Sequence, residues 1–183
     1  MLRAINLSSI AKVRLTETAY IIFGVLLLSV TAQVSIPLEP VPITLQSFGI
    51  MLLALTFDRK PAIKSVLAYL ALGAAGVPVL ANFRCGIPVF LGTTGGYLLG
   101  FLVAVIAMTS LKQVLNKDNF FHIAFNCLVG TLIIYAFGIL RLSAFVGFKE
   151  AIYLGFIPFI IPGIVKALAL SISVRYIKLG RIL

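Results

Sequence analysis

From Thr18 to Tyr176 the chain passes through six apolar stretches, and of its fifteen cations only Lys166 falls well inside one of them. Stretches like these settle in hydrocarbon, where every backbone N–H and C=O must find its partner inside the protein. With 61% of residues hydrophobic and 11% charged, against roughly 25% charged in a soluble domain, the chain reads as an all-α integral membrane protein. A single bundle uses the whole of residues 1–183 as one transmembrane domain, leaving no room for a soluble domain of about 100 residues. The opening M-L-R-A-I-N-L-S-S-I-A-K-V-R is too polar and broken to serve as the apolar core of a cleavable signal, so the first apolar stretch is expected to stay as a membrane helix.

Charges, glycines and prolines divide the apolar sequence into six expected helices: Thr18–Ser35, Thr44–Phe57, Ala62–Gly76, Gly92–Val114, Phe121–Leu140 and Ala151–Tyr176. A membrane-spanning helix needs about 20 residues. The second and third are shorter, so they are expected to be buried in the bundle or to continue as non-helical lining through P-L-E-P-V-P (37–42) and V-P-V-L (77–80). Arg3, Lys12, Arg14, Arg175, Lys178 and Arg181 lie near the ends of the chain, and Arg59, Lys60, Lys64, Lys112 and Lys117 follow the second and fourth helices. All eleven fall on one side, against Arg84, Arg141 and Lys149 on the other. The positive-inside rule then puts both termini in the cytoplasm and the Gly76–Leu91 loop outside. These cations lie at helix ends without interleaved aromatics, so membrane topology and anionic lipid headgroups account for the net charge of +10, and nucleic acid does not.

Six of the fifteen glycines and two of the eight prolines crowd into Gly76–Phe101. Irregular backbone at membrane depth is tolerated where it is buried in protein or lines a cavity, which makes this stretch the first candidate for a ligand pocket. Within it, G-T-T-G-G-Y (92–97) is expected to open the fourth helix. Thr93 or Thr94 would cap that helix, and free N–H groups would be aimed at an outer cavity. Gly92, Gly96 and Gly100 also form a small-residue ridge suited to helix packing. No Lys-Ser/Thr follows the glycines, so this is not a phosphate-binding loop. Asn82 and Arg84, in the outer loop, are candidate ligand contacts.

Lys166 is the sharpest single signal. An ammonium near the centre of a membrane helix costs about 2.5–3.5 kcal/mol. Arg175 lies nine residues further on and a helical Cβ leans toward the N-terminus, so snorkelling to the cytoplasmic surface is disfavoured and a pocket is favoured. The five carboxylates, Glu17, Glu39, Asp58, Asp118 and Glu150, lie near helix ends or in loops, which leaves the substrate as the candidate anion. Pro158 and Pro162 are expected to bend the helix and free carbonyls around Lys166. His122, the single histidine, is expected at the interface. With no acid pair in the span and no Cys/His pairing, neither catalysis nor metal binding has its parts, and Cys85 and Cys127 form no disulfide framework.

V-S-I-P-L-E-P-V-P-I-T-L-Q-S-F-G (34–49), L-A-Y-L-A-L-G-A-A-G-V-P-V (67–79) and G-T-T-G-G-Y-L-L-G-F (92–101) resemble, in order and spacing, the BioY family, the biotin-binding S components of energy-coupling factor (ECF) transporters. The resemblance, from about Ala19 to Ala169, implies a six-helix S-component fold in a prokaryotic cell membrane and capture of biotin from outside. It also implies an ECF coupling transmembrane subunit and two cytoplasmic ATPases as partners. The absence of a Walker motif agrees with a partner supplying energy. Three positions depart from the family pattern: Thr93 stands where proline is usual, Gly163 where an Asp precedes the binding lysine, and Phe23 follows Ala19 where an A-xxx-A seam for the coupling subunit is expected. Biotin is an apolar thioether bicycle with a urea at one end and a carboxylate at the other. The expected site therefore combines apolar walls with Lys166, Asn82, Arg84, Thr94, Gly95, Gly96 and Tyr97, and needs no cofactor. A stand-alone facilitator or secondary transporter for small carboxylates, and a purely structural helical scaffold, are the other readings.

Overall fold

The computed structural model describes residues 7–115 and 119–179, with side chains from 15 to 174 within those stretches. Arg3, Lys12, Arg14, Lys117, Asp118, Arg175, Lys178 and Arg181 lie outside the described side chains. The first helix, α1 (Leu7–Gln33), stops ahead of the proline-rich 37–42 segment, where the rings remove N–H donors and bias the preceding residues toward extended backbone. A two-residue antiparallel ladder, β1 (Ser35–Ile36) with β2 (Ile43–Thr44), closes that segment, with Ser35 opposite Thr44. Two shorter helices follow, α2 (Gln46–Thr56) and α3 (Arg59–Ala74). The next loop carries a 3₁₀ turn at Ala81–Phe83 and one short helix, α4 (Ile87–Leu91).

The second half is longer-limbed: α5 (Gly95–Val114), α6 (Phe120–Val146), α7 (Phe148–Gly155) and α8 (Ile157–Leu179). Asn119 starts α6 by accepting the Phe121 N–H at 2.9 Å on its side-chain oxygen, as helix N-caps do. Between α6 and α7 the chain turns at Gly147, whose φ of +83° is a conformation that a Cβ disfavours.

Small residues let α5 and α6 approach closely. A Cβ on Gly100 would stand 3.0 Å from Ile134 Cα, and one on Gly96 would meet the Phe137 carbonyl and Arg141. Lipid lends no hydrophobic drive between helices, so close packing of this kind carries the association. The short α2 occupies the middle of the bundle, with Ile50, Met51, Leu53 and Ala54 fully buried, as a span too short to face lipid along its length must be. Many of the exposed side chains are themselves apolar, such as Ile22, Phe23, Leu26 and Val30 on α1 and Leu128 and Leu132 on α6. That inversion suits a surface bathed in hydrocarbon. Among the described residues four stretches are long and apolar enough to cross a membrane, namely Leu15–Gln33, Gly95–Val114, Phe120–Val146 and Ile157–Val174.

Three sequence expectations are corrected here. The last helix is not continuous from Ala151: it breaks at Phe156 (φ −125°, ψ −55°), because Pro158 has no N–H to carry the ladder through. The fourth helix begins at Gly95 rather than Gly92, and the outer loop contains α4, which was not foreseen. Thr94 sits at the start of α5 without a side-chain capping bond. Its hydroxyl and that of Thr93 donate to the carbonyls of Val89 (3.5 Å) and Pro40 (3.0 Å).

Candidate functional site

The break before α8 builds one wall of a cleft. At the break the Phe159 N–H bonds to the Phe156 carbonyl rather than to Gly155. The Gly155 carbonyl is taken instead by the Tyr97 hydroxyl at 2.8 Å, and the Tyr135 hydroxyl reaches the Phe159 carbonyl at 2.8 Å. A buried hydroxyl needs such a partner. With both satisfied, the two tyrosines present their rings, Tyr97 stacked on Phe159 at 6.0 Å between centroids and Tyr135 edge-on to it at 5.9 Å.

The facing wall comes from the start of α2 and the loop before it, and Lys166 crosses to that wall. Its Nζ donates to the Thr44 carbonyl at 2.6 Å and to Ser47 Oγ at 3.1 Å. The polar surroundings of this ammonium are therefore the carbonyl of Thr44, the last residue of β2, and the hydroxyl of Ser47 in the first turn of α2. They are not carbonyls released by Pro158 and Pro162. Among the described residues the single carboxylate–cation pair is Glu17 with Lys64 (2.7 Å), so no acid neutralises Lys166 there.

Between the walls lies a narrow cleft of about 60 Å³, well below the roughly 300–1,000 Å³ of occupied small-molecule sites, so a ligand has to part the walls to enter. Lys166, Arg84, Thr94 and Tyr97 all line it. Asn82, Gly95 and Gly96 do not. Asn82 sits beside the cleft, its Oδ1 accepting from Ser35 Oγ at 2.7 Å. Gly95 lies against the Phe90 backbone and Gly96 against α6. The lining also includes Gln46, Ser47, Phe101, Tyr135 and Phe159, which sequence reasoning did not single out. Gln46 and Ser47 had one visible signal, two polar side chains opening an otherwise apolar helix. Tyr135 and Phe159 had none, because only the fold brings them together.

Thr93 and Gly163 have local explanations. The Thr93 hydroxyl ties the α4–α5 loop to Pro40, a tie proline could not make. Gly163 backs onto α6, where a Cβ would stand 2.7 Å from the Tyr135 hydroxyl, so tyrosine fills the space a carboxylate would need. No cluster of three or more His, Cys, Asp or Glu suited to a metal occurs among the described residues.

The model of the BioY family matches residues 6–181. The chain belongs to the BioY family. Among similar proteins, the probable biotin transporter BioY of Rickettsia prowazekii is 39% identical over 158 residues, covering 86% of this chain and 81% of that one. The probable biotin transporter BioY of Pyrococcus horikoshii is 42% identical over 152 residues, covering 82% and 89%. The biotin transporter BioY of Thermotoga maritima is 39% identical over 155 residues, covering 84% and 90%. A crystal structure of the S-component for biotin from an ECF-type ABC transporter aligns with a TM-score of 0.81 at 26% identity, over 96% of this chain and 95% of that one. With its four long apolar helices, this BioY-family chain is a multi-pass protein of a prokaryotic cell membrane.

Proposed function

We propose that this BioY-family chain is a substrate-specific S component that captures biotin in the cleft between α2, α5, α6 and α8. The observation that carries the reading is the cleft itself: aromatic walls suited to an apolar bicycle, with an ammonium that has only neutral partners at one place and the exposed Arg84 at another. A few convergent polar groups in an apolar pocket fix the orientation of a small ligand. Tyr97, Tyr135 and Phe159 hold the rings, Lys166 and Arg84 supply N–H donors and positive charge, and the Thr94 hydroxyl adds a hydrogen bond. Asn82, Gly95 and Gly96 act from behind, keeping the outer loop and α5 in place. No step makes or breaks a covalent bond, so the protein is a transporter subunit rather than an enzyme, and it works without a cofactor.

In this reading the whole chain is one domain with six spans, α1, α2, α3, α5, α6 and α8, in contact with membrane lipid. The distribution of charge supports it. Arg59, Lys60, Lys64 and Lys112 gather where α2 gives way to α3 and where α5 ends, while Arg84, Arg141 and Lys149 gather at the opposite ends. By the positive-inside rule the first group is cytoplasmic, with both termini on that side. An ECF coupling subunit and two ATPases then supply the energy, because ligand binding by itself shifts a conformational equilibrium only as far as its differential affinity allows. The test is binding to the purified full-length protein. Biotin should raise the melting temperature and bind more tightly than desthiobiotin, lipoate or octanoate. Octanoate binding as tightly as biotin, or no biotin binding, would reject the assignment.

A further inference from the structure

The turn that delivers Arg84 to the cleft has an unusual backbone. Asn82 (φ 57°, ψ 37°) and Phe83 (φ 55°) are consecutive non-glycine residues in the left-handed region. Asparagine tolerates this conformation, whereas a bulky residue such as phenylalanine avoids it. A pair like this persists only where the surroundings over-determine it.

Two side chains hold the turn: Ser35, whose Oγ donates to Asn82 Oδ1 at 2.7 Å, and Gln33, which reaches the backbone on both sides of it. Gln33, at the last turn of α1, donates from Nε2 to the Leu80 carbonyl at 3.2 Å and the Val79 carbonyl at 3.4 Å. Its Oε1 accepts the Phe83 N–H at 3.0 Å. One amide thus grips the turn on both sides, using its donor and its acceptor in opposite directions. The Leu80 N–H closes the turn onto the Arg84 carbonyl at 3.2 Å. Leu80, 1% exposed, and Arg84 both line the cleft, while Phe83, 69% exposed, does not. A residue needed only to end α1 would not have to reach 46 to 50 positions along the chain.

We propose that Gln33 is a positioning residue for ligand capture: its amide holds the left-handed Asn82–Phe83 turn in place and so keeps Arg84 and Leu80 at the cleft. The proposal rests on the biotin reading for its effect on affinity, but the grip itself is a property of the unliganded protein. Without Gln33, Phe83 relaxes to ordinary backbone and carries Arg84 out of place.

The test uses four full-length proteins: wild type, Gln33→Leu, Phe83→Gly and the double variant. Biotin affinity is measured for each, and a nitroxide on exposed Cys85, one residue past Arg84, reports mobility of the turn without ligand; Cys127 is buried and escapes labelling. Gln33→Leu should weaken biotin binding by about tenfold, or 1.4 kcal/mol, and sharpen the nitroxide spectrum of the ligand-free protein. Phe83→Gly, which removes the Cβ that makes the conformation unfavourable, should leave affinity unchanged alone and restore most of it in the double variant. A role merely in folding α1 predicts no such recovery. Should Gln33→Leu fail to fold, Gln33→Glu carries the test: it keeps the acceptor but sets a carboxylate oxygen against the Val79 and Leu80 carbonyls, and should give at least as large a loss in affinity with sharpening of the spectrum. Wild-type affinity in the folded Gln33 variant, an unchanged nitroxide spectrum, or a double variant no better than Gln33→Leu would each overturn the proposal. Wild-type protein that binds no biotin would instead reject the biotin reading, and the nitroxide spectra would still decide whether Gln33 holds the turn.

Discussion

Replacing Lys166 with methionine sets two effects of similar size against each other. The substitution removes an ammonium whose placement in a membrane helix costs about 2.5–3.5 kcal/mol. It also removes the bonds to the Thr44 carbonyl and Ser47 Oγ, which as hydrogen bonds to a charged donor contribute roughly 1.5–3 kcal/mol each. At the middle of these ranges the difference is a net loss of about 1.5 kcal/mol. That corresponds to a fall in melting temperature of roughly 3–6 °C for a chain of this size, so Lys166→Met should yield folded protein. Biotin affinity should fall much further in relative terms, by at least about tenfold, because the cleft loses its half-buried cation while its aromatic walls stay in place. Differential scanning fluorimetry and titration calorimetry on the same detergent-purified sample separate the two quantities. A folded Lys166→Met protein that binds biotin like wild type would refute a ligand role for Lys166. A loss of stability well above 3 kcal/mol would show instead that the lysine is chiefly a structural clip.

Tyr97→Phe removes the hydroxyl bonded to the Gly155 carbonyl but keeps the ring, so it should destabilise the protein by about 1 kcal/mol with biotin affinity unchanged; a large loss of affinity without a loss of stability would place the hydroxyl on the ligand. Cys85 should react with a membrane-impermeant maleimide added outside intact cells, more slowly under saturating biotin, and labelling from the cytoplasmic side alone would reverse the proposed topology. Reconstituted without partners, the protein should bind biotin but not accumulate it beyond equilibrium, since it has neither a nucleotide-binding loop nor a carboxylate midway through a span. Concentrative uptake by the isolated chain under a proton or sodium gradient would make it a secondary transporter.

Lys166 was legible in the sequence because charge in hydrocarbon is rare and costly whatever the fold. Tyr97 and Thr94 were legible because the glycines around them mark special backbone. The break at Phe156 was half legible: two prolines announced a disturbance, but whether a helix bends or stops depends on whether another side chain takes the freed carbonyl, and Tyr97 does so from 58 residues away. The threonines misled for a related reason. At a helix start a hydroxyl can accept from an N–H or donate to a carbonyl, and nearby Pro40 and Val89 decided for donation. Tyr135, Phe159 and the grip of Gln33 could not be read, because apolar rings and a lone amide at a helix end look alike whether or not they reach a distant loop.

The bonds from Lys166 span 122 and 119 positions of sequence, and that separation orders the protein's birth as well as its architecture. At a synthesis rate of about 5–20 residues per second, the segment that opens α2 leaves the ribosome roughly 6–24 s before the lysine that will bind it. Throughout that interval Thr44 and Ser47 wait with no ammonium to meet. Insertion of α8 is therefore the event that completes the cleft, and a chain arrested before it would carry much of the bundle but neither Phe159 nor Lys166 to line it.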